Sequence, residues 1–293
     1  MVLGLTGGAP YGTHLVPGRV APVAAPVAAA PAPPDLADVP AEALRGAADG
    51  HAAVAVLDLA TGTGASHGED AFVTASIVKA DILAALLLRA PQTGLTAAQR
   101  TAAELMIERS DNDSASELYR QIGGAAGLDE ANAVFGLTGT SAGADGYWGL
   151  TSTTAADQLR LLQVVFGPDS PLDADAQAYL QGLMGRISGG QGWGVSAAGP
   201  ALLKNGWLPR DDTGLWVVNS IGRVTVGQRR LLVAVLSDGS PDLSRGIAVV
   251  ESLAVAATGF LTAELTAEST AEVTAEVPAG PAAEISGSGP TQQ

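Results

Sequence analysis

The sequence predicts an α/β fold of the α+β sandwich kind. An antiparallel β-sheet of N- and C-terminal strands is flanked by helices, with an all-helical block between them. Three observations carry that expectation. An apolar run of strand length comes early. A long middle stretch then reads with helical spacing. After residue 200 the spacing changes to that of strands, and one more helical stretch closes the fold.

The elements follow in order. Ala52 to Leu59 (AAVAVLDL) is the early run, and Thr61-Gly62-Thr63-Gly64 behind it is turn chemistry, so a strand and the start of a hairpin are expected. Ile77 to Arg89 is apolar almost all round and reads as a buried helix. Thr96 to Glu108 is amphipathic, with Thr96 as its N-cap candidate. Ser114 to Ile122, closed by Gly123-Gly124, is the next helix, followed by Thr154 to Phe166 and Asp173 to Arg186. Ala201 to Lys204, Leu215 to Ile221 and Arg230 to Leu236 read as strands, and Leu243 to Ala257 as the closing helix.

Both ends are compositionally biased. Residues 1–42 are rich in Ala, Pro and Gly without periodicity and read as disordered. Residues 43–261 form the expected folded domain. Residues 262–293 repeat Thr-Ala-Glu around Glu264, Glu272 and Glu276 and read as a disordered acidic tail. Glu at every fourth position would line one helical face with like charge, which is unfavourable. The closing helix could still continue for its first turns.

Composition excludes several functions. Net charge is −15, so a nucleic-acid binder is not expected. The acidity lies partly in the tail, since no Lys or Arg follows Arg245. With no cysteine there is no thiol nucleophile, disulfide or Cys-ligated metal. His14, His51 and His67 show no metal-ligand spacing, and none lies beside a recognisable acid, so neither a metal site nor a Ser-His-Asp triad is expected. No cofactor is implied. The apolar run Ile77 to Leu88 is broken by Lys79 and Asp81, so no membrane span is expected. Met1 to Thr13 lack Lys and Arg, which a signal peptide would carry. The Ala/Pro stretch Val20 to Pro40 is nevertheless the kind of linker that follows a signal or lipid anchor in exported bacterial proteins. Export with a displaced start codon is the expectation, and a cytoplasmic protein stays open.

Three short motifs carry chemistry. The first is Ser76-Ile77-Val78-Lys79 at the start of the buried helix. Lys79 lies about one turn after Ser76, so their side chains share a face. A serine hydroxyl needs a base, and an amine whose pKa burial has lowered can be one. The bland alternative is a capping serine and an outward-reaching lysine. The second motif is Ser110-Asp111-Asn112 between two helices. Such a turn is ordinary capping chemistry. Functionally, Ser110 could pass a proton to a leaving amine and Asn112 could hold a substrate amide. The third is Lys204-Asn205-Gly206 at a predicted strand end, before Trp207. Gly206 permits close approach of the backbone. The amides of Ser76 and Trp207 could form an oxyanion hole. The alternative is a solvent-exposed turn.

In this order and on these elements, the three motifs resemble those of class A β-lactamases and penicillin-binding proteins. Met106 to Arg109 and Ser114 to Tyr119, around Ser110, resemble that family's helix pair, and Thr153-Thr154 opening the next helix is similar too. The resemblance spans about residues 45–260 and implies Ser76 as nucleophile, Lys79 as general base and Ser110 as proton relay. It implies Lys204 as a substrate-anion or proton-relay group, and Asn112, Asn205 and Gly206 as substrate-binding residues. The implied partner is a β-lactam or a peptidoglycan-like peptide, bound by a monomer.

The departures matter as much. Ser76 and Ser110 are 34 residues apart, shorter than in class A enzymes. Asn205 stands where that family has Thr or Ser. Gly136 to Thr151 contains no glutamate, whereas the family's Ω-loop supplies one that activates the deacylating water. Asp145 is the only carboxylate there, and Tyr147 and Trp148 read as packing or pocket wall. The expected function is therefore acylation of Ser76 by a β-lactam or related amide or ester, with slow hydrolysis. A DD-peptidase or esterase would use the same residues. A non-catalytic wall- or ligand-binding protein is the alternative of another class.

Overall fold

A computed structural model describes residues 36–40, 51–90 and 94–275. Its centre is a six-stranded sheet in the order β1-β3-β2-β8-β7-β6. The strands are β1 (Leu36–Asp38), β2 (His51–Asp58), β3 (Gly64–His67), β6 (Ala201–Pro209), β7 (Trp216–Val226) and β8 (Arg229–Asp238). Only the β1–β3 pair is parallel. A two-stranded ladder of β4 (Phe72–Val73) and β5 (Ser152–Thr153) lies apart. The helices are α1 (Val78–Arg89), α2 (Ala97–Glu108), α3 (Asn112–Gln121), α4 (Gly124–Phe135), α5 (Ala155–Phe166), α6 (Ala174–Met184) and α7 (Leu243–Ala275).

Strand periodicity explains the two layers. On β2, Ala53, Ala55 and Leu57 join the core under the helical block, while Val54 and Val56 join the core under α7. On β8, Leu232, Ala234 and Leu236 face the block, while Leu231, Val233 and Val235 face α7. A central strand buried on both faces reads as an unbroken apolar run, which is why these segments were legible. Helix α1 lies inside the block, with every residue from Val78 to Leu87 buried. Its Asp81 is fully enclosed, and burial pushes its carboxyl up to about 8.

Four expectations are corrected. Residues 36–38, assigned to a disordered segment, form β1, and Val39 behind it is buried among α7 side chains. The rest of that segment, residues 1–35 and 41–42, lies outside the described residues. The closing helix does not stop at Ala257 but runs to Ala275, into the expected tail; residues 276–293 lie outside the described residues. Its cause is burial: Val250, Leu253, Ala254, Ala257, Leu261 and Leu265 form one continuous stripe packed on the sheet and Val39. Burial of two leucines outweighs a like-charge row worth a few tenths of a kcal/mol per pair. Thr258, Thr262, Thr266 and Thr270 also donate their hydroxyls to the carbonyls four residues earlier, at 2.7–2.8 Å. Helix α4 escaped notice because glycines at 123, 124 and 127 mask its spacing. Strand β6 continues to Pro209, so Lys204-Asn205-Gly206 lies within an edge strand rather than at a strand end.

Leu243–Glu268 is also long and apolar enough to cross a membrane by length and composition, against the expectation of no such run. Its buried stripe faces the sheet.

Truncating the stripe distinguishes a packed helix from a solvated tail. Leu261→Ala is expected to lower unfolding stability by ~2–4 kcal/mol in denaturant titrations. Val255→Ala, at a site 48% exposed, should cost under ~1 kcal/mol. Equal midpoints for the two variants would place residue 261 outside the core.

Candidate active site

The site forms where three pieces of chain meet: the turn entering α1, the α2–α3 turn, and edge strand β6. Residues Ala75–Ile77 make a single 3-10 turn that runs into α1. Ser76 lies on that turn and is partly exposed. Its Oγ makes no hydrogen bond to a described residue. Asn219, buried on β7, fixes the turn from below: its Nδ2 donates to the carbonyls of Val73 (2.8 Å) and Thr74 (3.0 Å). From the side comes Gly206. A Cβ there would lie 2.7 Å from the amide nitrogens of both Ser76 and Ile77, so only glycine lets β6 approach this closely.

Lys79, one turn on, is 0% exposed. Its Nζ donates to the carbonyl of Ser110 (2.6 Å), to Ser110 Oγ (3.0 Å) and to Asn112 Oδ1 (2.7 Å). Three acceptors match the three protons of an ammonium. Lys204, also 0% exposed, reaches across from β6 and donates to the same Ser110 Oγ at 3.1 Å and to its neighbour's carbonyl, Asn205 O, at 2.9 Å. One hydroxyl thus bridges two buried amines. No carboxylate among the described residues forms an ion pair with either lysine.

The electrostatic consequence is plain. Burial pulls the Lys79 amine down to about 8, opposed by the field of Asp111. Burial pulls Lys204 well below an ordinary lysine, and the Lys79 charge lowers it further. Two amines sharing one acceptor disfavour double protonation, so they titrate as a coupled pair.

Backbone strain concentrates here. Among the described residues, three non-glycines have positive φ, and two flank this chemistry: Ala75 (48°) and Ser110 (56°). Each costs of order 1 kcal/mol. At Ser110 the left-handed turn accompanies an arrangement in which both its carbonyl and its hydroxyl meet Lys79. Asp111 follows it, accepts the Ser114 amide at 2.7 Å and caps α3.

A loop from Gly136 to Thr151 closes one side. Thr74 N donates to Thr151 O at 2.8 Å, and the loop's Trp148 places its ring 4.9 Å from Lys79 Nζ. Asp145, the only carboxylate in that stretch, is exposed.

Ser76, Lys79, Ser110, Asn112, Lys204 and Gly206 therefore lie together. Trp207 lies next along β6, its indole turned against Trp193. Asn205 does not gather with them. Once β6 runs through, the residue after Lys204 must face the other side of the sheet. Its buried Nδ2 donates to the carbonyls of Gln191 (2.8 Å) and Trp193 (2.9 Å), so Asn205 is an anchor for residues 191–193 and not a substrate-binding group. His51 also departs from expectation. It sits 3.0 Å from both Asp70 and Asp238 and stacks on Phe72, and the Asp70 contact holds its pKa above the ordinary value. No serine bonds to it among the described residues.

Sequence reasoning missed two cues. Asn219 is a buried polar residue in an apolar strand. More telling, the chain has only two lysines, Lys79 and Lys204, and both meet at Ser110.

No family model matches the chain. It is 29% identical over 200 residues, 64% of its length, to "Putative lipoprotein LppW" of Mycobacterium tuberculosis, and equally to the Mycobacterium bovis protein of that name. The chain spans 63% of the length of these relatives. Among solved structures, a β-lactamase from Streptosporangium roseum superposes with a TM-score of 0.63 at 19% identity, covering 76% of this chain and 99% of that one. The chain has the β-lactamase fold. An acyl-enzyme complex of a PBP-A mutant with penicillin G superposes with a TM-score of 0.61 at 22% identity, covering 72% and 90%. TLA-3 extended-spectrum β-lactamase gives 0.65 at 15% identity, covering 75% and 96%. Within this β-lactamase fold, the gathered residues occupy the seam between the helical block and the sheet edge.

Gly206→Ala tests that seam. The added methyl must push the Ser76 turn away, so unfolding stability should fall by ~1–3 kcal/mol. A midpoint equal to the parent's in thermal unfolding would mean that the turn does not pack on β6.

Proposed function

We propose that this protein is a serine acyl-transferase that takes a β-lactam or a related strained or peptide amide onto Ser76. The observation that carries this reading is the Ser110 hydroxyl bridging two buried lysines, neither of them ion-paired to a carboxylate among the described residues, one turn from Ser76. In its neutral form Lys79 accepts the Ser76 proton as Oγ attacks the acyl carbonyl. The new Ser76–acyl bond forms as the carbon–nitrogen bond breaks. The proton passes from Lys79 through Ser110 to the leaving nitrogen. Lys204 holds the negative end of the substrate, Asn112 Nδ2 a substrate carbonyl, and the amides of Ser76 and Trp207 the oxyanion. Asn205 turned away from the cleft removes one contact to a substrate carboxylate.

The likeness to the penicillin-acylated PBP-A mutant supports a β-lactam as the probe. The lipoprotein named among the relatives supports an exported protein working at the cell envelope. The Gly136–Thr151 loop carries no glutamate to serve as a base for the deacylating water, so hydrolysis is slow in this reading.

The pH dependence follows from Lys79. It must be neutral to act as base, so the rate of acylation should rise with pH and level off above about 8. Labelling with a fluorescent penicillin, read by gel and intact mass across pH 6–10, checks this. Ser76→Ala should abolish the adduct, and Lys79→Ala should slow its formation by ~10²–10⁴. Labelling that survives Ser76→Ala would remove the serine mechanism, and no adduct on the parent protein would remove the β-lactam reading.

A further inference from the structure

A Ser76 ester is hydrolysed when water attacks the acyl carbonyl and something accepts the water's proton. The Gly136–Thr151 loop faces this side of the site, and its aromatic residue is held there rather than merely adjacent. Trp148 Nε1 donates to Ser116 Oγ on α3 at 3.1 Å. The following residue, Gly149, offers its carbonyl to Thr74 Oγ1 at 3.5 Å, and Thr151 O accepts Thr74 N at 2.8 Å. The turn Trp148–Leu150 thereby rests on the turn that carries Ser76. The indole ring, 4.9 Å from Lys79 Nζ, covers an amine that is 0% exposed. The three remaining contacts of that amine all go to Ser110 and Asn112. A water approaching Lys79 from the loop side meets the ring.

We propose that Trp148 is a positioning residue that excludes water from Lys79 and from the acyl carbonyl on Ser76, so the acyl-enzyme outlives its formation. This rests on the acyl-transfer reading above. An aromatic face held by a hydrogen bond suits that role, because it packs on an amine without offering a base and attracts the ammonium form. Once the ester has formed and the leaving nitrogen has taken the proton, Lys79 is neutral again. Water reaching it could then attack the ester, the carbon–oxygen bond would break, and the proton would return to Ser76 Oγ. Trp148 closes that route.

The test separates the two steps. The intact protein is acylated with penicillin G, free drug is removed, and the adduct is followed by mass spectrometry. Burst kinetics with a chromogenic cephalosporin give the acylation rate. In Trp148→Ala the adduct lifetime should fall by at least ~10-fold, a change larger than that in the acylation rate. Trp148→Phe should keep most of the lifetime, because the ring remains. Ser116→Ala, at an exposed position, leaves the ring in place but unanchored and should shorten the lifetime by a smaller factor. If Trp148→Ala fails to fold by circular dichroism, Ser116→Ala and Trp148→Phe decide. An unchanged lifetime in Trp148→Ala, or in Ser116→Ala where Trp148→Ala does not fold, or lifetimes and acylation rates falling in equal proportion, would overturn the role of Trp148 while leaving acylation at Ser76 intact. A parent protein that forms no adduct would overturn both.

Discussion

The rest of this molecule is arranged around one contact: two lysine amines, both withdrawn from water, sharing the hydroxyl of Ser110. Burying a charge without a counter-ion costs several kcal/mol unless the group loses its proton. Neither lysine has a carboxylate partner among the described residues, so the fold disfavours charging both amines at once and leaves room for one neutral amine in the pair. That is unfavourable for stability and useful for chemistry, because a neutral amine beside a serine is a base.

The scaffold supplies what this contact takes away. Both faces of the sheet are buried, one under the helical block and one under α7, and α1 lies wholly inside. That core can tolerate the left-handed backbone at Ala75 and Ser110, which together cost of order 2 kcal/mol. Asn219 and Gly206 then fix the Ser76 turn from two directions without touching the chemistry themselves. The amines, the hydroxyl and the turn come from three separate segments, so their geometry depends on the packing of the whole sandwich.

Much of this was legible in the sequence, and the failures have physical causes. The central strands and α1 stand out because burial on all sides leaves unbroken apolar runs. The first two motifs stand at element boundaries that periodicity or capping marks, whereas Lys204-Asn205-Gly206 lies within β6. Asn205 was misread through a boundary error: ending the strand at Lys204 hid the alternation that turns residue 205 to the opposite face. The tail was misread because charge spacing was weighed without Leu261 and Leu265, whose burial only the path of α7 reveals. Trp148 reads as generic packing until the loop's course places its ring on Lys79, 69 residues away in sequence. The scarcity of lysine was available from the start, since a chain with two lysines has no surplus to spend on its surface.

That scarcity also makes the central claim directly measurable. Lysine labelled with ¹³C at the ε-carbon gives only two lysine signals in this chain, and each can be titrated by NMR and assigned with a single Lys→Arg variant. Buried amines sharing Ser110 should titrate well below the ordinary lysine value of 10.5, with Lys79 near 8. Two signals that both titrate close to 10.5 would contradict the burial of the pair and, with it, the assignment of Lys79 as the base.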